Sequence, residues 1–271
     1  MKIVLWIGNE GNQKALANKI HARFPLTSIV RETRKTKRNI TFGLLFEKVI
    51  EKIFLSSIGK SWIKMKGYYN SKYPEYPATN ILDVENINSE AAFNFTKEIA
   101  PDLILVSGTR LVKEKMLSIH PRIGIMNLHT GLSPYIKGGP NCTNWCIATG
   151  QFHLIGNTIM WIDAGIDSGN LVRTDFTPFD GNEHLDDIHL KVMEHAHDLY
   201  IKAIEDVTKN NYSNVKQSDI AVGKIFYNKE WRLKEKINLI QNMSGFRKKK
   251  KNGETDRLQQ SILIIKAPNA F

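Results

Sequence analysis

The sequence predicts a doubly wound, Rossmann-like α/β core followed by a small C-terminal α+β extension. Three observations carry this. The chain opens with an apolar strand-like run, a Gly-containing polar turn and a helical pattern, the first unit of a doubly wound sheet. Two further apolar runs, residues 103–106 and 123–128, each end in polar residues. Leu185, Ile188, Val192, Ala196, Leu199, Ala203 and Val207 recur every three or four residues, the stripe of a long amphipathic helix.

Residues 2–7 read as a buried first strand, and Gly8-Asn9-Glu10-Gly11-Asn12 as the turn behind it. Leu16, Ile20 and Phe24 then fall on one face of a helix over residues 13–24. Residues 27–30 form a second short strand. A dinucleotide reading would use Glu32 as ribose partner, but the turn lacks the three-glycine fingerprint. Residues 40–58 read as an apolar helical stretch. Residues 61–76, rich in Lys and Tyr and ending in Tyr73-Pro74-Glu75-Tyr76-Pro77, read as an inserted loop. Asn88 or Ser89 caps a helix running to Ile99. Strands follow over 103–106 and 123–128, a helix over 141–149, and strands over 157–162 and 170–173 joined by the loop 163–169. The long helix closes a catalytic domain, residues 1–205. The extension, residues 206–271, holds a strand over 223–227, a helix over 231–243 with a basic face, a polar stretch and a strand-like end over 261–266. At this size it is expected to pack on the main domain.

The chain has 271 residues, is 42% hydrophobic and 24% charged, and carries a formal charge of +11. That excess suits anionic partners: nucleotides, phosphorylated substrates, nucleic acid or a membrane surface. The basic runs at 31–38 and 247–251 read more simply as solvated faces or tails than as a nucleic-acid footprint. No apolar stretch reaches membrane-spanning length, and no signal sequence is recognisable, so a cytoplasmic location without membrane insertion is expected. Cys142 and Cys146 share a helix face, as a metal or redox pair would, but read first as buried small residues. His195 and His197 do not share a helical face, so the histidines of the long helix read as surface or core residues and no metal site is expected.

One stretch speaks about chemistry. Asn127 and His129 end the apolar run at 123–128, and Asp167 lies in the following loop. An amide, an imidazole and a carboxylate can polarise a carbonyl, stabilise an oxyanion and move a proton.

Met126-Asn127-Leu128-His129-Thr130-Gly131-Leu132-Ser133-Pro134-Tyr135-Ile136-Lys137-Gly138-Gly139 resembles the signature of the folate-dependent formyltransferases: Asn-x-His, a short loop, a Pro, and a basic residue before Gly. Residues 156–163 and Gly165-Ile166-Asp167-Ser168-Gly169 resemble that family's strand and Asp-x-Gly turn. The resemblance implies Asn127, His129 and Asp167 as the catalytic trio and 10-formyltetrahydrofolate as co-substrate. It places Arg110, Leu111, Val112, Asp163, Gly165 and Gly169 around the folate, and Lys137, Gly138 and Gly139 on the acceptor side. Gly131-Leu132-Ser133-Pro134 stands where the family often has Ser-Leu-Leu-Pro, and Lys137 where Arg is common.

Methionyl-tRNA formyltransferases in this family carry a large C-terminal β-barrel, and the glycinamide ribonucleotide enzymes usually stop near the end of the first domain. The layout here is most similar to the sugar N-formyltransferases. That resemblance implies a nucleotide-linked amino sugar as acceptor and a role in polysaccharide or O-antigen synthesis. A homodimer through the tail is a separate expectation. A non-catalytic nucleotide- or RNA-binding protein on this fold is the alternative of another class.

Overall fold

The computed structural model describes residues 1–34, 55–139, 141–163, 165 and 167–268. Its centre is a seven-stranded sheet of order β3-β2-β1-β4-β5-β7-β8. The strands are β1 (Ile3–Gly8), β2 (Ser28–Glu32), β3 (Asn80–Val84), β4 (Leu103–Ser107), β5 (Gly124–His129), β7 (Gly156–Trp161) and β8 (Leu171–Phe176). The first five are parallel; β7 runs antiparallel to β5 and β8 antiparallel to β7. A second, two-stranded parallel sheet pairs β6 (Ile136–Gly138) with β9 (Lys224–Phe226). Eight α-helices occur among the described residues: α1 (Gly11–Arg23), α2 (Ser56–Lys72), α3 (Glu90–Ile99), α4 (Glu114–Leu117), α5 (Cys142–Ala148), α6 (Leu185–Thr208), α7 (Leu233–Lys251) and α8 (Glu254–Gln259). The fold is therefore the expected Rossmann-like α/β core. None of the described helices is long and apolar enough to cross a membrane.

Strand alternation divides the core. On β1, Ile3, Leu5 and Ile7 pack with Leu16 and Ile20 of α1 and with Ala196, Leu199 and Ala203 of α6. Val4 and Trp6 face the other layer, with Ala92 of α3 and Met116 of α4. Both faces of β1 are covered, so all six of its residues are buried. Ser89 caps α3 as the sequence implies, accepting from the Ala92 N–H at 3.3 Å.

Three expectations need correction, and one strand was missed. Residues 61–76 are mostly helix, not a loop. Ser61, Met65 and Tyr69 recur every four residues and are buried, Met65 and Tyr69 against Ala15 and Met193. The abundant Lys and Tyr masked that stripe, and Pro74 only ends the helix. Strand β3 was not read from the sequence: it is an edge strand whose Ile81, Leu82 and Val84 are interrupted by the exposed Asp83 and follow the exposed Asn80. The polar residues 246–260 are the last turns of α7 and all of α8. The cations at 247–251 thus lie at a helix C-terminus, where they complement the dipole, and Lys249 and Lys250 pair with Glu254 and Asp256. Residues 261–266 form no strand. They touch β8 through Ile265, whose N–H donates to Thr174 Oγ1 at 2.8 Å and whose carbonyl accepts from the Thr174 N–H. Of the helical stretch expected over 40–58, residues 40–54 lie outside the described residues.

The extension packs as expected. Phe226, Leu239 and Phe246 share a buried cluster with Leu132, Ile136, Trp145, Phe152 and Leu185.

Candidate active site

The sheet order reverses between β1 and β4, which opens a crevice at the carboxyl edge of the strands. Two features shape it. The β4–β5 pairing stops at Val106 opposite Asn127. There the buried Tyr200 hydroxyl bridges the strands, donating to Met126 O at 2.6 Å and accepting from the Val106 N–H at 2.9 Å.

Asn127 and His129 are two apart on β5, so both side chains leave the same face. The 163–169 loop between β7 and β8 brings Asp167 back over them. His129 Nδ1 lies 3.4 Å from Asp167 Oδ2, with the side chains 10% and 18% exposed. The same Oδ2 accepts from the Gly138 N–H at 3.1 Å. Asp167 adopts φ +47°, a left-handed conformation that Asp tolerates better than most residues. On the other side of the ring, His129 Nε2 lies 3.5 Å from Cys142 Sγ, itself 3.4 Å from Gly138 O. Burial pushes the Cys142 thiol well above its ordinary range. As a neutral thiol it donates to Gly138 O. The Asn127 carboxamide takes no hydrogen bond among the described residues.

Two cavities meet at this trio. One, of about 300 Å³, lies between residues 108–112 and residues 160–163 and is also lined by Asn127, Gly165 and residues 167–169. Arg110, Leu111, Val112, Asp163, Gly165 and Gly169 all border it, so the structure gathers the residues assigned to one ligand around one space. The second, also about 300 Å³, exposes Asn127, His129, Asp167, Gly138, Cys142 and Gln13. Through Gln13, Gly108, Asn141 and Met193 it adjoins a larger cleft of about 1020 Å³ beside α2 and Trp231. Lys137 and Gly139 border none of these spaces. Gly138 does, and it is required there: its φ is +90° and a Cβ would overlap Phe226 O.

Residues 50–204 match the Formyl transferase family. The chain belongs to that family. A methionyl-tRNA formyltransferase of Clostridium tetani is 31% identical over 128 residues, covering 47% of this chain and 41% of the relative. The chain thus spans about two fifths of the length of the curated relatives it matches. Among solved structures, a Shewanella sugar N-formyltransferase superposes with TM-score 0.59 at 14% identity, covering 89% of this chain and 88% of that one. An N-formyltransferase from Helicobacter canadensis, in complex with folinic acid and dTDP-3-aminofucose, superposes with TM-score 0.54 at 16% identity over 90% and 80%. At such identities these two likenesses speak of fold.

Against that family background, three site residues escaped sequence reading. Gly131 sits between His129 and Cys142, and a Cβ there would collide with His129 Nε2. The same Cβ would also crowd the Cys142 side chain. Glu32 is no ribose ligand. Its fully buried carboxylate accepts from the Ile87 and Arg110 N–H groups at 3.0 and 2.9 Å and pairs with Arg34 at 2.9 Å. The third is Gln217, which donates to the Asp167 and Gly169 carbonyls. Glu32 and Gln217 lie far in sequence from what they hold, so no local motif marks them. Among the described residues no cluster of three or more metal-ligating side chains occurs; Cys142 and Cys146 are free and buried, and His189 and His197 are core residues.

Proposed function

We propose that the chain transfers a formyl group from 10-formyltetrahydrofolate to the primary amine of a nucleotide-linked amino sugar. The observation that carries the reading is the convergence of Asn127, His129 and Asp167 where two cavities meet, one for donor and one for acceptor. The cavity assigned to the donor is lined by Arg110, Leu111, Val112, Asp163, Gly165 and Gly169, with Leu111 54% exposed. The folate supplies an activated formyl carbon.

The chain's own groups do the rest. Asn127 donates an amide N–H, and protonated His129 an imidazolium N–H, to the formyl oxygen as the amine adds and charge gathers there. Asp167 orients His129 through Nδ1 and takes the proton that the amine nitrogen must lose, directly or through water. As the bond between the formyl carbon and the folate nitrogen breaks, the proton held by Asp167 passes to that nitrogen, directly or through water, and tetrahydrofolate leaves. Residues 1–205 form the catalytic unit in this reading, and residues 206–271 complete it from outside.

Two observations support a sugar acceptor. The sugar N-formyltransferase match covers 89% of the chain and so reaches past residue 204, where the family match ends. The net charge of +11 also suits a nucleoside diphosphate. A methionyl-tRNA acceptor is the second reading, favoured by the curated relatives. The test offers the protein 10-formyltetrahydrofolate with dTDP-, UDP- and GDP-amino sugars and with initiator methionyl-tRNA. Tetrahydrofolate release is followed, with mass detection of product. One formylated sugar nucleotide is expected; formylated tRNA alone would overturn the sugar reading. RNA binding that falls with salt, without any turnover, would favour the non-catalytic alternative.

A further inference from the structure

The 163–169 loop is held at two points. Within it, Asp163 Oδ1 accepts from the Gly165 N–H at 2.9 Å and from the Ser168 hydroxyl at 2.5 Å. From outside, Gln217 reaches in from the short 3-10 turn Gln217–Asp219 of the extension. Its Nε2 donates to Asp167 O and to Gly169 O, both at 2.8 Å. Two carbonyls converging on one atom fix that atom as the amide nitrogen, since only a donor satisfies both. The side chain is buried, with Nε2 also 3.9 Å from Met160 Sδ. Water therefore cannot easily replace these bonds, and losing the donor leaves two carbonyls unsatisfied. The backbone so gripped is that of Asp167 itself, in its left-handed conformation.

We propose that Gln217 is a positioning residue: it fixes the Asp167 backbone so that Oδ2 meets His129 Nδ1, which makes the C-terminal extension part of the active site. The assignment rests on the formyl-transfer reading for its kinetic consequence, though not for its structural one. It touches neither donor nor acceptor; it acts through Asp167. Gln217→Met keeps the length and burial of the side chain and removes both bonds. Gln217→Glu replaces the donor with a group that donates only when protonated. Burial against two carbonyls disfavours its charged form, so the lost bond returns as pH falls.

The experiment uses the full chain, with 10-formyltetrahydrofolate and dTDP-3-aminofucose as probes. Three quantities are read on wild type, Gln217→Met and Gln217→Glu: steady-state transfer, amide hydrogen exchange by NMR, and the His129 ring titration. A displacement on the order of 1 Å costs about 100-fold in rate. For Gln217→Met, kcat should fall about 10- to 100-fold with the donor KM within about threefold. Exchange at Asp167, Ser168 and Gly169 should quicken about tenfold or more while β4 and β5 stay protected. The His129 titration should move. The rate ratio of Gln217→Glu to wild type should rise as pH falls. Unchanged exchange in Gln217→Met, or faster exchange with unchanged kcat and His129 titration, would overturn the proposal. Loss of protection throughout the sheet in Gln217→Met, with no return of activity in Gln217→Glu at low pH, would reduce Gln217 to a folding residue and overturn it too. If wild type transfers nothing to any acceptor, the formyl-transfer reading fails separately. Gln217 is then decided by exchange and the His129 titration alone.

Discussion

Two carboxylates sit at the carboxyl edge of the same sheet and do opposite things. Glu32, at the end of β2, is fully buried and accepts two backbone N–H bonds besides its contact with Arg34. Its acceptor capacity is consumed by the fold, and the result is a joint between β2, residue 87 and the start of the 110–112 loop. Asp167, on the 163–169 loop, takes one backbone N–H and one imidazole and keeps 18% of its side chain open to the crevice. One carboxylate is saturated and structural; the other is oriented and still able to take a proton. Residue type and position at a strand edge do not separate such groups. The count of fixed donors does.

Changes on the Asp167 side should lower rate and spare stability; changes on the Glu32 side should do the reverse. The largest effect is expected at the trio. His129→Ala and Asp167→Ala should each lower kcat about 1000-fold, and Asn127→Ala about 100- to 1000-fold, with Tm within a few degrees of wild type. Gly131→Ala follows. Its methyl would displace the His129 ring, so kcat should fall about 100-fold, read alongside an unaltered thermal transition. Glu32→Gln tests the other side. Gln keeps one oxygen, so one of the two backbone N–H groups would face an amide NH2 instead of an acceptor. This should cost about 2 kcal/mol in denaturant unfolding and raise the donor KM through the 110–112 loop, with kcat nearly unchanged. A tenfold or greater loss of kcat there would erase the distinction.

A smaller effect concerns pH. Burial pushes the His189 imidazole down to about 4 and His197 well below its ordinary value. Neither ring nitrogen of His197 meets a partner among the described residues. Between about pH 6.5 and pH 4 the unfolded chain takes up protons that the folded chain refuses, so stability falls as pH falls. His197→Phe should flatten the Tm-versus-pH curve on its acid side, gaining more at pH 5 than at pH 8. The smallest change is expected for Lys249→Ala. It removes a solvent-screened ion pair and should leave the unfolding midpoint essentially unchanged.

The doubly wound core was legible because β1 and β4 are covered on both faces and so read as near-continuous apolar runs, and because β5 reads as an apolar run that ends in Asn127 and His129. The trio was legible because Asn127 and His129 lie two apart on one strand and Asp167 sits in a glycine-rich loop. What hid was either amphipathic in disguise or distant. Helix α2 buries Met65 and Tyr69 beneath many Lys and Tyr residues. Strand β3 lies at an edge. Glu32 and Gln217 work through partners 78 and 50 residues away, and no local spacing can record such contacts.

The most direct measurement follows a labelled formyl group. Wild type and His129→Ala would each be given 10-formyltetrahydrofolate carrying a ¹³C-formyl carbon, together with the amino-sugar nucleotide that the panel selects. Product would be read by mass and NMR. Label on the sugar nitrogen with wild type, and at least about 100-fold less with His129→Ala, is the result this account predicts. Equal label transfer by the two proteins would contradict it.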